Sequence, residues 1–172
     1  MHEQLFDHLD IPDTNINIPD GSVDRSDAFA FCQTYEDKIA SAGGLDIQIL
    51  GIGRTGHVGF NEPGSSLGSR TRLVHLDRLT RKDAARDFLG EEKVPKYALT
   101  MGVGTIFDAS RIFLLAWGQA KAGILARAIE GEPTDSLPAS LLQGHPKLEV
   151  FADKAAASEL TRKKRPWLVQ QV

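Results

Sequence analysis

At 172 residues the chain has room for one domain with its own core, and not comfortably for two. Hydrophobic residues at 41% and charged residues at 25% are ordinary for a soluble globular protein, and a net charge of −3 gives no reason to expect nucleic acid or an acidic membrane surface as partner. The lone cysteine, Cys32, excludes an internal disulfide, no stretch is apolar for long enough to span a bilayer, and Met1 to Asp10 lacks the apolar run of a secretory signal, so a cytoplasmic protein is expected.

In chain order, Leu5, Phe6 and Leu9 predict a short helix ending before Ile11-Pro12, and Asn15 to Ile18 a brief strand closed by Pro19-Asp20-Gly21. Ala28, Cys32, Tyr35 and Ile39 recur every three or four residues, which predicts an amphipathic helix over Ser26 to Ala42, stopped by Gly43-Gly44. Leu45 to Leu50 reads as a strand, and Leu73 to Leu76 as another apolar segment. Thr80, three residues before Asp83, looks like the start of a helix running to about Leu89. Ala98 to Met101 leads into Gly102-Val-Gly-Thr105 and a helical turn through Asp108. Arg111 to Ala116 is an apolar run of the kind found where both sheet faces are covered. Lys121 to Ile129 reads as a helix with Gly131 beyond its end, and Leu148 to Ala152 as a strand followed by a helix from Asp153 to about Leu160. Strands alternating with helices predict an α/β class with a mostly parallel sheet flanked by helices, whose ligands bind beyond the carboxyl ends of the strands. Residues 1–160 are read as the α/β domain and 161–172 as a basic tail or linker.

The strand at Leu45 runs into Gly51-Ile-Gly-Arg-Thr-Gly-His-Val-Gly-Phe-Asn-Glu-Pro-Gly-Ser65, whose first six residues match the dinucleotide pattern G-x-G-x-x-G. That pattern works only when a helix starts inside it and offers its N-terminus to a pyrophosphate. Gly59, Asn61, Pro63 and Gly64 leave no room for one, so the context opposes a dinucleotide. What remains is a glycine-rich loop bearing one imidazole, His57, and one carboxylate, Glu62. A histidine at a strand end can trade protons near neutral pH, and a glutamate can orient it. The residues alone equally allow His57 to cap a turn and Glu62 to face water.

The run Gly53 to Pro63 resembles the signature of the glucosamine-6-phosphate deaminase (isomerase) family. Further matches follow in order at Ser69 to Arg72, Val94 to Thr100, Gly102 to Thr105, Gly118 to Lys121 and His145-Pro146. The related 6-phosphogluconolactonases share the glycine-histidine core but do not usually carry Phe60-Asn-Glu-Pro63. The resemblance implies conversion of glucosamine 6-phosphate and water to fructose 6-phosphate and ammonia, without metal or organic cofactor. It places ring opening on His57, its support on Glu62, phosphate contacts on Arg86 and Lys121, and the close loop on Gly53 and Gly56. Arg81, Lys82 and Asp87 around Arg86 also suit a plain solvated helix face. Lys121 stands at a strand-to-helix junction, where fixed cations suit a phosphate.

Two departures from the family pattern stand out. Thr55 occupies a position where the deaminases usually carry aspartate as part of the histidine's relay. Threonine can hydrogen-bond but brings no charge. The family's Gly-Ser-Thr phosphate loop and its proton-shuttling aspartate have no counterpart here, and Asp7, Asp10, Asp20 and Asp24 stand in other contexts. The chain is therefore expected to be a carboxyl-terminal portion of the fold, to leave a sheet edge uncovered, and to form homo-oligomers or join the missing segment. Arg72 and Ser65 lie where some relatives bind an effector, but Val74 and His75 replace residues often found there. Two further readings stay open: a lactonase in which His57 activates water, and a non-catalytic phosphosugar-binding module.

Overall fold

The computed structural model describes residues 1–161 and 169–170. Four parallel strands, β1 (Gln48–Gly51), β4 (Ile112–Ala116), β5 (Leu148–Ala152) and β6 (Val169–Gln170), form a sheet in the order β1-β4-β5-β6. A separate antiparallel ribbon pairs β2 (Arg72–His75) with β3 (Tyr97–Thr100). The helices are α1 (Ala28–Ser41), α2 (Arg78–Ala84), α3 (Val103–Phe107), α4 (Ala122–Glu130) and α5 (Pro138–Leu141). This is the expected α/β class with a mostly parallel sheet.

The register stacks Leu50, Leu114 and Val150 side by side across the sheet. With Ile112, Ala116 and Leu148 they make one fully buried face. Ile106 from α3, Leu125 and Ala128 from α4, and Ala139 and Leu142 around α5 close over it. Successive strand residues point to opposite faces, so this core uses every second residue of β4 and β5.

Among the described residues, the two faces of the apolar run before Trp117 are not equally covered. Phe113 and Leu115 are only half-buried, and Phe113 meets Phe151 edge-on at 5.4 Å on that second face. On the outer side of the sheet β1 has no strand neighbour among the described residues, and Ile47 just before it and Ile49 within it are 53% and 61% exposed.

Four local expectations change. Asn15 to Ile18 is no strand: a 3-10 turn spans Asp13–Asn15, and Pro19 denies the segment a backbone donor. The first helix reduces to a 3-10 turn at Phe6–His8. The helix of the eighties begins earlier and stops sooner, because the Asp77 side chain caps it by accepting from the Leu79 N–H at 2.7 Å. Beyond Ala85 the next apolar side chains find little cover: Phe88 is exposed, and Leu89 is 82% exposed with φ at 60°. After β5 the chain makes turns, not a helix. There Asp153 accepts from Ala156 N–H at 2.7 Å and from Gly118 N–H at 3.1 Å, so its carboxylate ties two loops together. Of the basic stretch after Thr161, residues 162–168 lie outside the described residues.

Candidate active site

The loop leaving β1 is a chain of tight turns. Gly56, Gly59 and Gly64 have φ of 83°, 57° and 97°, values that an L side chain resists, so no helix starts here. Gly56 also packs where a methyl group would lie 2.5 Å from Leu137 Cδ1. Its carbonyl accepts from Ala139 N–H at 2.9 Å, while Gly64 N–H donates to Asp135 O at 2.8 Å. The loop is thereby fastened to α5 and to the segment before it.

Asn61 fixes its inner side. This side chain is fully buried, and its Nδ2 donates to Val58 O at 2.9 Å and Met101 O at 2.8 Å. Its Oδ1 accepts from Arg72 at 2.9 Å, and Arg72 also donates to Ser65 Oγ at 3.0 Å. Arg72 and Ser65 are thus partners of each other within the loop's support.

His57 and Glu62 come together. Nδ1 of His57 lies 3.2 Å from Glu62 Oε2, with both side chains more than four-fifths buried. Thr55 Oγ1 sits 2.9 Å from the same Nδ1 and donates to Oε2 at 3.1 Å. Since the threonine hydrogen goes to the carboxylate, Nδ1 must carry a hydrogen itself, which leaves Nε2 as the ring's acceptor. The charge that Thr55 lacks reaches the imidazole directly from Glu62. Thr80, inside α2, donates to Oε1 of the same carboxylate. Burial pushes the Glu62 carboxyl upward, but the hydrogen bonds from His57 and Thr80, the imidazole's charge and Thr55 outweigh it, so its pKa lies below the ordinary carboxylate value.

These groups stand at a cavity of about 440 Å³ beyond the carboxyl end of β1, a volume within the usual range for small ligands. Gly53, His57 and Lys121 line it. Lys121 Nζ donates to Ile52 O at 2.8 Å, which holds the ammonium at the wall. Gly53 backs directly onto the imidazole: a Cβ there would lie 2.1 Å from Nε2. Thr55 and Glu62 stand behind the ring. Arg86 does not line the cavity; it is exposed on the turn after α2.

Three lining or supporting residues escape sequence reasoning: Thr80, Arg54 and Asp83. Thr80 reads as a helix cap, but Asp77 takes that role and frees the hydroxyl for Glu62. Among the described residues no group of three or more His, Cys, Asp or Glu side chains is placed to hold a metal ion. No helix of those residues is long and apolar enough to cross a membrane.

Residues 1–150 match the family described as glucosamine-6-phosphate isomerases/6-phosphogluconolactonase. The chain is similar to a glucosamine-6-phosphate deaminase of Shewanella halifaxensis, 52% identical over 94% of this chain and 60% of that protein. It is 47% identical to a putative glucosamine-6-phosphate deaminase-like protein of Bacteroides thetaiotaomicron, over 98% of this chain and 26% of the longer protein. A solved monomeric glucosamine-6-phosphate deaminase superposes with a TM-score of 0.88 at 44% identity, covering 92% of this chain and 65% of that one. The chain therefore spans at most about two-thirds of the relatives it matches.

Proposed function

The chain belongs to the glucosamine-6-phosphate isomerase/6-phosphogluconolactonase family, and we propose that its glycine loop is the ring-opening site of a deaminase acting on glucosamine 6-phosphate. The contact of His57 Nδ1 with Glu62 and Thr55 carries this reading, because it turns Nε2 into a supported proton acceptor at a ligand-sized cavity.

Opening a pyranose moves one proton from the anomeric hydroxyl to the ring oxygen. An imidazole that accepts the first proton becomes a cation, which the Glu62 carboxylate stabilises at 3.2 Å, and it can then return a proton to the ring oxygen. Two hydroxyls, from Thr55 and Thr80, keep the carboxylate ionised and in place throughout. Lys121 supplies positive charge for the substrate's phosphate. Arg86 adds to it once the turn after α2 comes closer. Gly53 allows the sugar and the ring to approach without an intervening side chain. The deaminase reading gains support from the identity of about one residue in two to proteins named for that activity.

The test is ammonia release from glucosamine 6-phosphate by the full chain, with His57→Ala as control. Turnover that disappears in the control is the expected result. Acid release from a phosphosugar lactone with no ammonia would replace this reading with the lactonase one. Phosphosugar binding without either product would make the chain a binding module.

A further inference from the structure

Two opposite charges meet in the cavity wall, and the ring-opening chemistry uses neither. Arg54 leaves the glycine loop, and Asp83 projects from α2. Arg54 Nε donates to Asp83 Oδ2 at 2.8 Å, and Nη2 donates to Oδ1. Both line the cavity, and their side chains are 47% and 44% exposed. Thr80, Asp83 and Ala84 lie three and four residues apart, so one face of α2 makes this wall. The wall is pinned to the loop at two points, through Thr80 on Glu62 and Asp83 on Arg54.

The guanidinium fork is a fixed pair of donors, and a phosphate offers the same paired oxygens as the carboxylate it now holds. A half-exposed ion pair is worth only about 0–1 kcal/mol, so a dianion arriving beside Lys121 competes on good terms. We propose that Arg54 is a second anion-binding residue of the site, which exchanges Asp83 for the phosphate of the bound sugar. Asp83 is the internal competitor that sets the affinity. The exchange leaves Thr80 as the side-chain tie between α2 and the glycine loop. This assignment rests on the reading of the cavity as a phosphosugar site.

Calorimetric titration of the full chain with glucosamine 6-phosphate, and with glucosamine as the phosphate-free control, tests it. Asp83→Asn and Asp83→Ala should each tighten phosphosugar binding several-fold. Arg54→Gln should weaken it roughly tenfold, about the worth of one charge-assisted contact, and Arg54→Lys less, for want of the fork. The double variant Arg54→Gln/Asp83→Asn should bind like Arg54→Gln alone, since the competitor matters only through Arg54. Glucosamine binding should not respond to either residue. Phosphosugar binding that depends on Lys121 but ignores Arg54 and Asp83 overturns the exchange and leaves the phosphosugar reading standing. A wild-type chain that binds no phosphosugar, or binds it equally well as Lys121→Gln, overturns both.

Discussion

Replacing Gly53 by alanine adds one methyl group at the most constrained point of the site. The new carbon would lie 2.1 Å from both Cε1 and Nε2 of His57 and 2.5 Å from Cδ2. Carbon atoms in good contact sit at about 3.5–4.0 Å, so the ring must retreat by roughly 1.5 Å. No retreat of that size preserves both the 2.9 Å contact to Thr55 and the 3.2 Å contact to Glu62; one is broken or crushed. A misplacement of about 1 Å can cost roughly 10²-fold in rate, so kcat/KM for ammonia release should fall about 10²-fold or more. Stability should barely move. Gly53 lies outside the left-handed region, so alanine fits the backbone and gains about 0.4–1 kcal/mol through the unfolded chain, which offsets a similar cost for the displaced ring. Ammonia release, a thermal melt and the His57 ring resonances in long-range 1H–15N spectra are the measurements. A Gly53→Ala protein with unshifted ring resonances and the wild-type rate would refute the placement of the imidazole against this glycine.

Glu62→Gln removes the charge beside Nδ1 and should lower kcat by about 10- to 10²-fold with a smaller change in KM, as expected when a group that supports the acid–base residue is lost; an unchanged kcat would count against the relay. Asn61→Ala strips donors from the Val58 and Met101 carbonyls and a partner from Arg72, which should cost about 2–4 kcal/mol. That corresponds to a fall in melting temperature of roughly 5–15 °C for a chain of this size. Glu36 offers a pH test of the scaffold. Burial raises its carboxyl, but hydrogen bonds from Thr105 and Thr71 and the charge of Arg70 bring it below the ordinary value of 4.5. Its contribution to stability is therefore fully present above that pH and is lost as the pH falls through the folded value. Urea midpoints measured from pH 7 to 3 should drop less steeply for Glu36→Gln than for wild type. Finally, Ile47 and Ile49, exposed at the edge strand β1, should make the chain self-associate. Light scattering should detect this and should find it reduced in Ile49→Lys, whereas a monodisperse wild-type monomer would contradict it.

Much of the scaffold is legible before any coordinates. The spacing of Ala28, Cys32, Tyr35 and Ile39 locates α1 to within two residues at its start and one at its end, and Gly131 marks the end of α4. Pro63 and Gly64 suffice to deny the glycine loop a helix, and its three left-handed glycines show the turns they make instead. The pairing of His57 with Glu62 is local, five residues apart, and so could be suspected. Arg54 with Asp83 and Thr80 with Glu62 are separated by 29 and 18 residues, and no periodicity links them. The continuous apolar run in β4 hides a difference between its two faces. Composition says that Phe113 and Leu115 are apolar, but not whether anything packs on their side of the sheet.

The strand order has a kinetic consequence. β4 and β5 are joined by roughly thirty residues, whereas β1 reaches β4 only after an excursion of roughly sixty, which costs about 0.6 kcal/mol more in closure entropy and delays the contact. Folding should therefore begin with the unit β4, α4, α5 and β5, and β1 should dock late. The stretch of the site from Gly53 to Asp83, with the imidazole and its carboxylate, lies within that late excursion, whereas Lys121 belongs to the early unit. Pulsed hydrogen exchange should find amides of Ile112 to Ala116 and Leu148 to Ala152 protected before those of Gln48 to Gly51, and simultaneous protection would show that the sheet assembles as one. If the order holds, the chain acquires a stable nucleus before it acquires a working imidazole, and substitutions in the glycine loop should speed unfolding while leaving the folding rate nearly untouched.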